Sequence, residues 1–162
     1  MSDFEARLRK AIDRGERRSD EKRAAAARQA LSEEELRRLH TQYRLELSER
    51  IEQCVRKLTD AFPGFQYETI YGERGWGAAC RRDDFDSRGG SGRNNLYSRL
   101  EMTVRPHSPL QVLDLAGKGT IRNKEVFHRN FFKKLEEVDS DEFAALIDAW
   151  ALEYAERFAA TR

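Results

Sequence analysis

The sequence has few cysteines and few strongly apolar side chains. Its two cysteines, Cys54 and Cys80, cannot form a disulfide framework and lack the spacing of a zinc site. Leu, Ile, Val and Phe make up 34 of the 162 residues, close to the ~20% level at which chains tend to be disordered. No apolar run approaches the ~20 residues of a membrane-spanning helix. These shortages exclude disulfide-stapled and membrane-spanning proteins, and no metal or cofactor site is predicted.

Net charge is nearly absent as well. The 30 Lys and Arg residues are balanced by 29 Asp and Glu residues, which leaves a formal charge of +1. A protein that coats nucleic acid needs excess positive charge to displace counterions, so the overall composition does not favour that class. The first residues lack the basic and then apolar pattern of a secretory signal. Together with the unpaired cysteines, this leads us to expect a cytoplasmic protein with no membrane partner.

Residues 1–30 differ in composition from the rest of the chain. Their only strongly apolar side chains are Phe4, Leu8 and Ile12, spaced four apart as on one face of a helix. We call these three residues the tip stripe. Residues 13–23 contain no large apolar side chain, so a helix there is solvated on all sides or bridges to another element. We predict that residues 1–30 form a charged helical arm, followed by a single domain over residues 31–162.

The tip stripe needs an apolar surface to pack against. One alternative is that the arm folds back at residues 30–32 onto the following helix. The other is that the arm packs on a second copy of the chain in a homodimer, which is the outcome that we favour.

The next segment is typical of a long amphipathic helix. Ser32 and Glu35 have the spacing of a capping box at a helix start. Pro63 and Gly64 are typical of a helix end. Between them, apolar side chains recur every three or four residues: Leu36, Leu39, Tyr43, Leu47, Ile51, Cys54, Val55, Leu58 and Phe62.

From residue 65 the apolar period falls to two, which is typical of strands. Alternation predicts strands near 65–71, 76–85 and 96–105, and a fourth strand over 110–122. In the fourth strand, the segment Gly117-Lys118-Gly119 indicates a bulge or a close approach of another element. The glycine-rich segment 86–95 predicts a flexible hairpin loop. Short connections favour antiparallel pairing.

A second capping pattern, Asp139 with Glu142, predicts the start of a C-terminal helix. Its apolar face includes Ile147, Trp150 and Tyr154. The predicted fold is therefore α+β, in the order α-α-β-β-β-β-α. A four-stranded antiparallel meander is covered by helices and preceded by the long N-terminal arm.

The three histidines receive different interpretations. His40 is interpreted as a surface or boundary residue, and His107, between two prolines, as an exposed turn residue. His128 is interpreted as a structural or interface histidine. The alternative is a role in ligand binding or catalysis, in a pocket between sheet and helix that also includes Trp76 and Trp150.

A second candidate site lies on the sheet. Tyr97, Arg99 and Arg105 share one face of a predicted strand, and residues 81–134 carry an excess of positive charge. Basic sheets with exposed aromatic side chains are one way to hold single-stranded nucleic acid or another polyanion.

These patterns favour a non-catalytic binding or assembly module. It would act through the arm and the open sheet face, as a homodimer or on an unknown protein partner. The first alternative is a small enzyme or ligand-binding protein that uses a pocket near His128. The second is a polyanion or nucleic-acid binder that uses the basic sheet face.

Overall fold

The computed structural model describes residues 3–86 and 94–161. Most of the predicted hairpin loop at 86–95 therefore lies outside the described residues. The chain divides into two compact units, Met1–Arg38 and Leu39–Arg162. The predicted domain boundary directly after the arm stays a prediction.

The first helix, α1, is Asp3–Ala61, a single helix of 59 residues. The helix start predicted at Ser32 is wrong, because α1 continues through residues 30–32. Alanines at 24–27 and glutamates at 33–35 are strong helix formers, and an interior serine costs only about 0.5 kcal/mol relative to alanine. The turn that a fold-back of the arm requires is therefore absent at this point. Among the described helices, none is long and apolar enough to cross a membrane.

The strands form one antiparallel sheet in chain order. Their bounds are β1 Gln66–Ile70, β2 Trp76–Asp86, β3 Asn94–Val104, β4 Val112–Ile121 and β5 Lys124–Lys134. The predicted class, an α+β fold with an antiparallel meander and helices packed on it, is confirmed. The predicted number of strands is wrong, because a fifth strand follows Ile121.

A two-residue turn joins β4 to β5. Arg122 and Asn123 have φ angles of 48° and 69°, and positive φ at both positions is typical of tight hairpins. The Asn123 side chain accepts a hydrogen bond from the Tyr97 N–H (2.8 Å) and donates one to the Asn95 carbonyl (2.7 Å). The turn lacks the Asn-Gly signal, and β5 contains adjacent aromatic residues instead of clean alternation, so its sequence did not predict a strand.

The second helix, α2, is Ser140–Ala160. Asp139 is its N-cap, as predicted, and its carboxylate accepts a hydrogen bond from the Asp141 N–H (3.1 Å). The Tyr154 hydroxyl donates to the Thr120 carbonyl of β4 (2.9 Å). These contacts fix the start of α2 and hold its middle on the sheet.

Residues 39–61 of α1 lie on the same face of the sheet as α2. The Arg44 guanidinium lies 3.9 Å from the ring centre of Trp76 in β2. Phe62, directly after α1, packs edge to face on Phe158 of α2, with ring centres 5.0 Å apart. The buried core between helices and sheet includes Leu47, Ile51, Val55, Leu100, Met102, Leu115, Phe143, Ile147 and Tyr154.

Two glycines of β4 let α2 approach the sheet closely. A Cβ at Gly117 would lie 2.6 Å from the Trp150 ring, and a Cβ at Gly119 would lie 3.0 Å from the Tyr154 ring. The predicted close approach at Gly117-Lys118-Gly119 is therefore confirmed. A register shift between Gly119 and Thr120 adds an irregularity at the same place.

We expect Gly117→Val to lower the free energy of unfolding by about 1–3 kcal/mol, because the new side chain overlaps Trp150 and overpacks the core. Urea denaturation followed by tryptophan fluorescence measures the change. Ala116→Val is the matched control, because Ala116 points to the opposite face of β4 and valine is favoured in strands. Equal losses in the two variants would contradict the close approach.

Candidate functional site

The sheet face opposite the helices, here called the open face, carries all the predicted ligand-binding residues. These are His128, Arg99, Tyr97 and Arg105. Glu101 pairs with Lys118, and Lys118 pairs with His128. Cross-strand partners share a face, and alternate residues of β3 do so too. The structure therefore brings the predicted residues onto one surface, with Tyr97 and Arg99 in β3, Arg105 directly after it and His128 in β5.

The pocket predicted around Trp76, His128 and Trp150 does not form. Trp150 lies over Gly117, and Gly117 pairs with Arg129, so Arg129 points towards the helices. Its neighbour His128 points to the opposite side of the sheet, where 62% of its side chain is exposed. A strand places adjacent residues on opposite faces, and this separates His128 from both tryptophans.

Carboxylates neutralise the open face. Arg99 lies 2.6 Å from Glu68 and 3.8 Å from Glu101, and Arg105 lies 3.8 Å from Asp114. A polyanion would have to displace these carboxylates, so the arrangement does not favour polyanion binding.

A groove of about 440 Å³ runs between the two helices on the side away from the sheet. Its walls are formed by residues 50–61 of α1, by Phe62 directly after it and by residues 148–155 of α2, and we call it the helix groove. Leu58 and Ala151 are buried in its floor, whereas Leu152 at its rim is 69% exposed.

Polar groups close one end of the helix groove. Arg50 forms a two-point ion pair with Asp148, and its Nε–H donates to Asp148 Oδ1 (2.9 Å). The Cys54 thiol donates to the same oxygen (3.2 Å). Burial, followed by the hydrogen bond to Asp148, raises the pKa of Cys54 to about 11. The thiol is therefore protonated near neutral pH, and a nucleophilic cysteine requires the thiolate.

His40 is a residue that the sequence interpretation placed wrongly. It is buried, with 2% of its surface exposed, and its ring lies edge to face on His107 with centres 5.4 Å apart. Its Nε2 atom is buried and lacks a hydrogen-bond partner among the described residues. Helical periodicity could have predicted this burial, because His40 lies seven residues before Leu47 and therefore on the same apolar face of α1.

His107 is also less exposed than its position between prolines suggested. It is half-buried, and its Nε2 atom lies 2.8 Å from Gln111 Oε1. Gln111 itself has a φ of 55°. The β3–β4 connection thus folds back so that its histidine meets α1, 67 residues earlier in the chain.

Comparison with known proteins gives no match to a family model, to a curated protein or to a solved structure. Within residues 3–86 and 94–161, no three His, Cys, Asp or Glu side chains converge as metal ligands. Function is therefore inferred from geometry and chemistry alone.

Acidification should destabilise the fold through His40. Burial lowers the pKa of His40 below its ordinary value of 6.5, and His107 and Arg44 lower it further. As the pH falls below 6.5, the unfolded chain binds more protons at His40 than the folded chain does. The free energy of unfolding therefore decreases as the pH falls. We expect His40→Gln to flatten this dependence between about pH 5 and 7, as measured by urea denaturation. His128→Gln, at an exposed histidine, is the matched substitution with which the slope of His40→Gln is compared. A wild-type slope in His40→Gln would contradict the assignment.

Proposed function

We propose that this protein is a non-catalytic assembly module that forms a homodimer through its N-terminal arm. The observation that supports this is the exposure of the tip stripe, where Phe4 is 63%, Leu8 47% and Ile12 52% exposed. Large apolar side chains aligned on one face of a charged helix are typical of a segment that lies in a partner's groove. The open face is not part of the proposal, because the predicted binding residues Arg99 and Arg105 already lie against carboxylates.

The state of the candidate reactive groups supports a non-catalytic role. Cys54 holds a protonated thiol, and His40 is buried against His107. His128 is exposed on β5 beside Glu125, at 3.5 Å. Catalysis by a nucleophile requires a base within hydrogen-bonding reach that a third group orients, and these residues lie apart in the fold.

The size of the stripe fits a dimer of moderate affinity. Fully burying one side chain such as Leu or Phe contributes about 1.5–3 kcal/mol. Bringing two chains together costs about 4–15 kcal/mol. The dimer therefore depends on the stripes of both copies, and loss of one residue from each copy shifts the equilibrium strongly.

We expect the full-length protein to sediment at twice the chain mass at tens of micromolar concentration. Leu8→Ser should raise the dissociation constant roughly 100-fold or more, because each dimer loses two buried leucines. Ala6→Ser is the matched control, since Ala6 lies about 200° around the helix axis from Leu8. Sedimentation equilibrium measures the association, and circular dichroism checks that the helix content is unchanged. A monomeric wild type, or a dimeric Leu8→Ser variant, would refute the proposal.

A further inference from the structure

We propose that His40 is an acid-sensitive latch between α1 and the connection from β3 to β4. When the His40 ring takes up a proton, residues 39–46 of α1 separate from residues 105–111, and the rest of the fold stays in place. The latch is separate from the proposed dimer contact, because it uses neither the tip stripe nor the helix groove.

The position of His40 makes it the anchor of a short segment. It is the first buried residue of α1 in the described part of the chain, and the next is Leu47, about two turns later. The side chains between them are exposed or half-buried. The segment contacts the sheet and its connections through His40, edge to face on His107, and through Arg44, over the Trp76 ring. A segment with so little buried surface is typical of one that opens locally.

The charged groups around His40 disfavour its protonated form. His107 of the connection and Arg44, one turn further along α1, both lower the pKa of His40, and no carboxylate acts on it. The Arg105 carbonyl alone acts in the opposite direction. The Arg105 side chain, the other charged group of the connection, lies 3.8 Å from Asp114. A proton on His40 is therefore repelled from both elements that meet there.

The Nε2 atom of His40 makes protonation of the closed state still less favourable. It is buried and lacks a hydrogen-bond partner among the described residues. Both ring nitrogens of a protonated histidine carry hydrogen, whereas a neutral ring leaves one of them as an acceptor. A charged donor that is buried without a partner costs more free energy than a neutral acceptor in the same place. The ring therefore takes up its proton together with its move into water.

The direction of the pKa shift sets the pH range of the latch. Burial first, and then the neighbouring positive charges, lower the pKa of His40 below 6.5 in the closed state. In the open state the ring returns towards that ordinary value. The opening equilibrium therefore rises as the pH falls, by up to about 10-fold per pH unit below 6.5 for a single proton. Above 6.5 the ring is neutral in both states and the latch stays closed.

Hydrogen exchange of the full-length protein between about pH 7.5 and 5, followed by mass spectrometry, tests the latch. After correction for the intrinsic effect of pH on exchange, protection of residues 39–46 and 105–111 should fall by about 10-fold at the acidic end. Helix α2 should keep its protection. An equal loss in α2 would show that the fold opens as a whole, which overturns the latch and leaves the assembly proposal untouched. Unchanged protection in residues 39–46 would overturn it too.

Two substitutions test whether charge at His40 drives the opening. His40→Gln removes the proton acceptor, so protection of residues 39–46 should no longer depend on pH. Gln111→Glu supplies the missing carboxylate, because Gln111 Oε1 lies 2.8 Å from His107 Nε2. It should reduce the acid-induced opening several-fold, since negative charge beside the two histidines stabilises the protonated closed state.

Gln42→Glu is the matched control for Gln111→Glu. It adds the same charge at an exposed position of α1 about 200° around the helix axis from His40, and the opening should keep its wild-type dependence on pH. Equal effects of the two glutamate substitutions would refute the latch, as would a wild-type pH dependence in His40→Gln. If His40→Gln already opens residues 39–46 at about pH 7.5, the comparison of the two glutamate variants decides.

Discussion

Helix α2 can lie close to the sheet only because β4 lacks side chains at residues 117 and 119. The Trp150 and Tyr154 rings occupy that space, and the Tyr154 hydroxyl ties α2 to the backbone of β4. Residues 39–61 of α1 then pack beside α2 on the same face, and the core lies between the two helices and the sheet. Interiors are packed as densely as organic crystals, so this contact leaves little freedom in the position of α2.

The arrangement of both helices on one face creates two surfaces with different chemistry. The open face is polar, and Arg99 and Arg105 lie against carboxylates of the same sheet. The helix groove is largely apolar, with polar groups at one end. Burial of apolar area drives association, whereas exposed ion pairs contribute little. The groove is therefore the better candidate of the two for a stable contact.

The candidate sites show where reasoning from sequence reaches its limit. Alternation along β3 predicted that Tyr97 and Arg99 share a face, because that depends only on local geometry. It did not predict the carboxylate Glu68 beside Arg99, which comes from a strand two places away in the sheet. Likewise, apolar phase alone could have placed His40 inside, but its partner His107 depends on how a distant connection folds back.

The sequence by itself determined the fold class, most of the element bounds and the cap of α2. Each of these follows from periodicity or from hydrogen bonds between residues a few positions apart. It did not determine that α1 is continuous, because helix propensity on both sides outweighs a local start signal. Tertiary structure alone decided which face each histidine occupies, how α1 and α2 enclose a groove, and which charges are paired. These features arise where elements distant in sequence pack together, and no local pattern records the choice between competing packings.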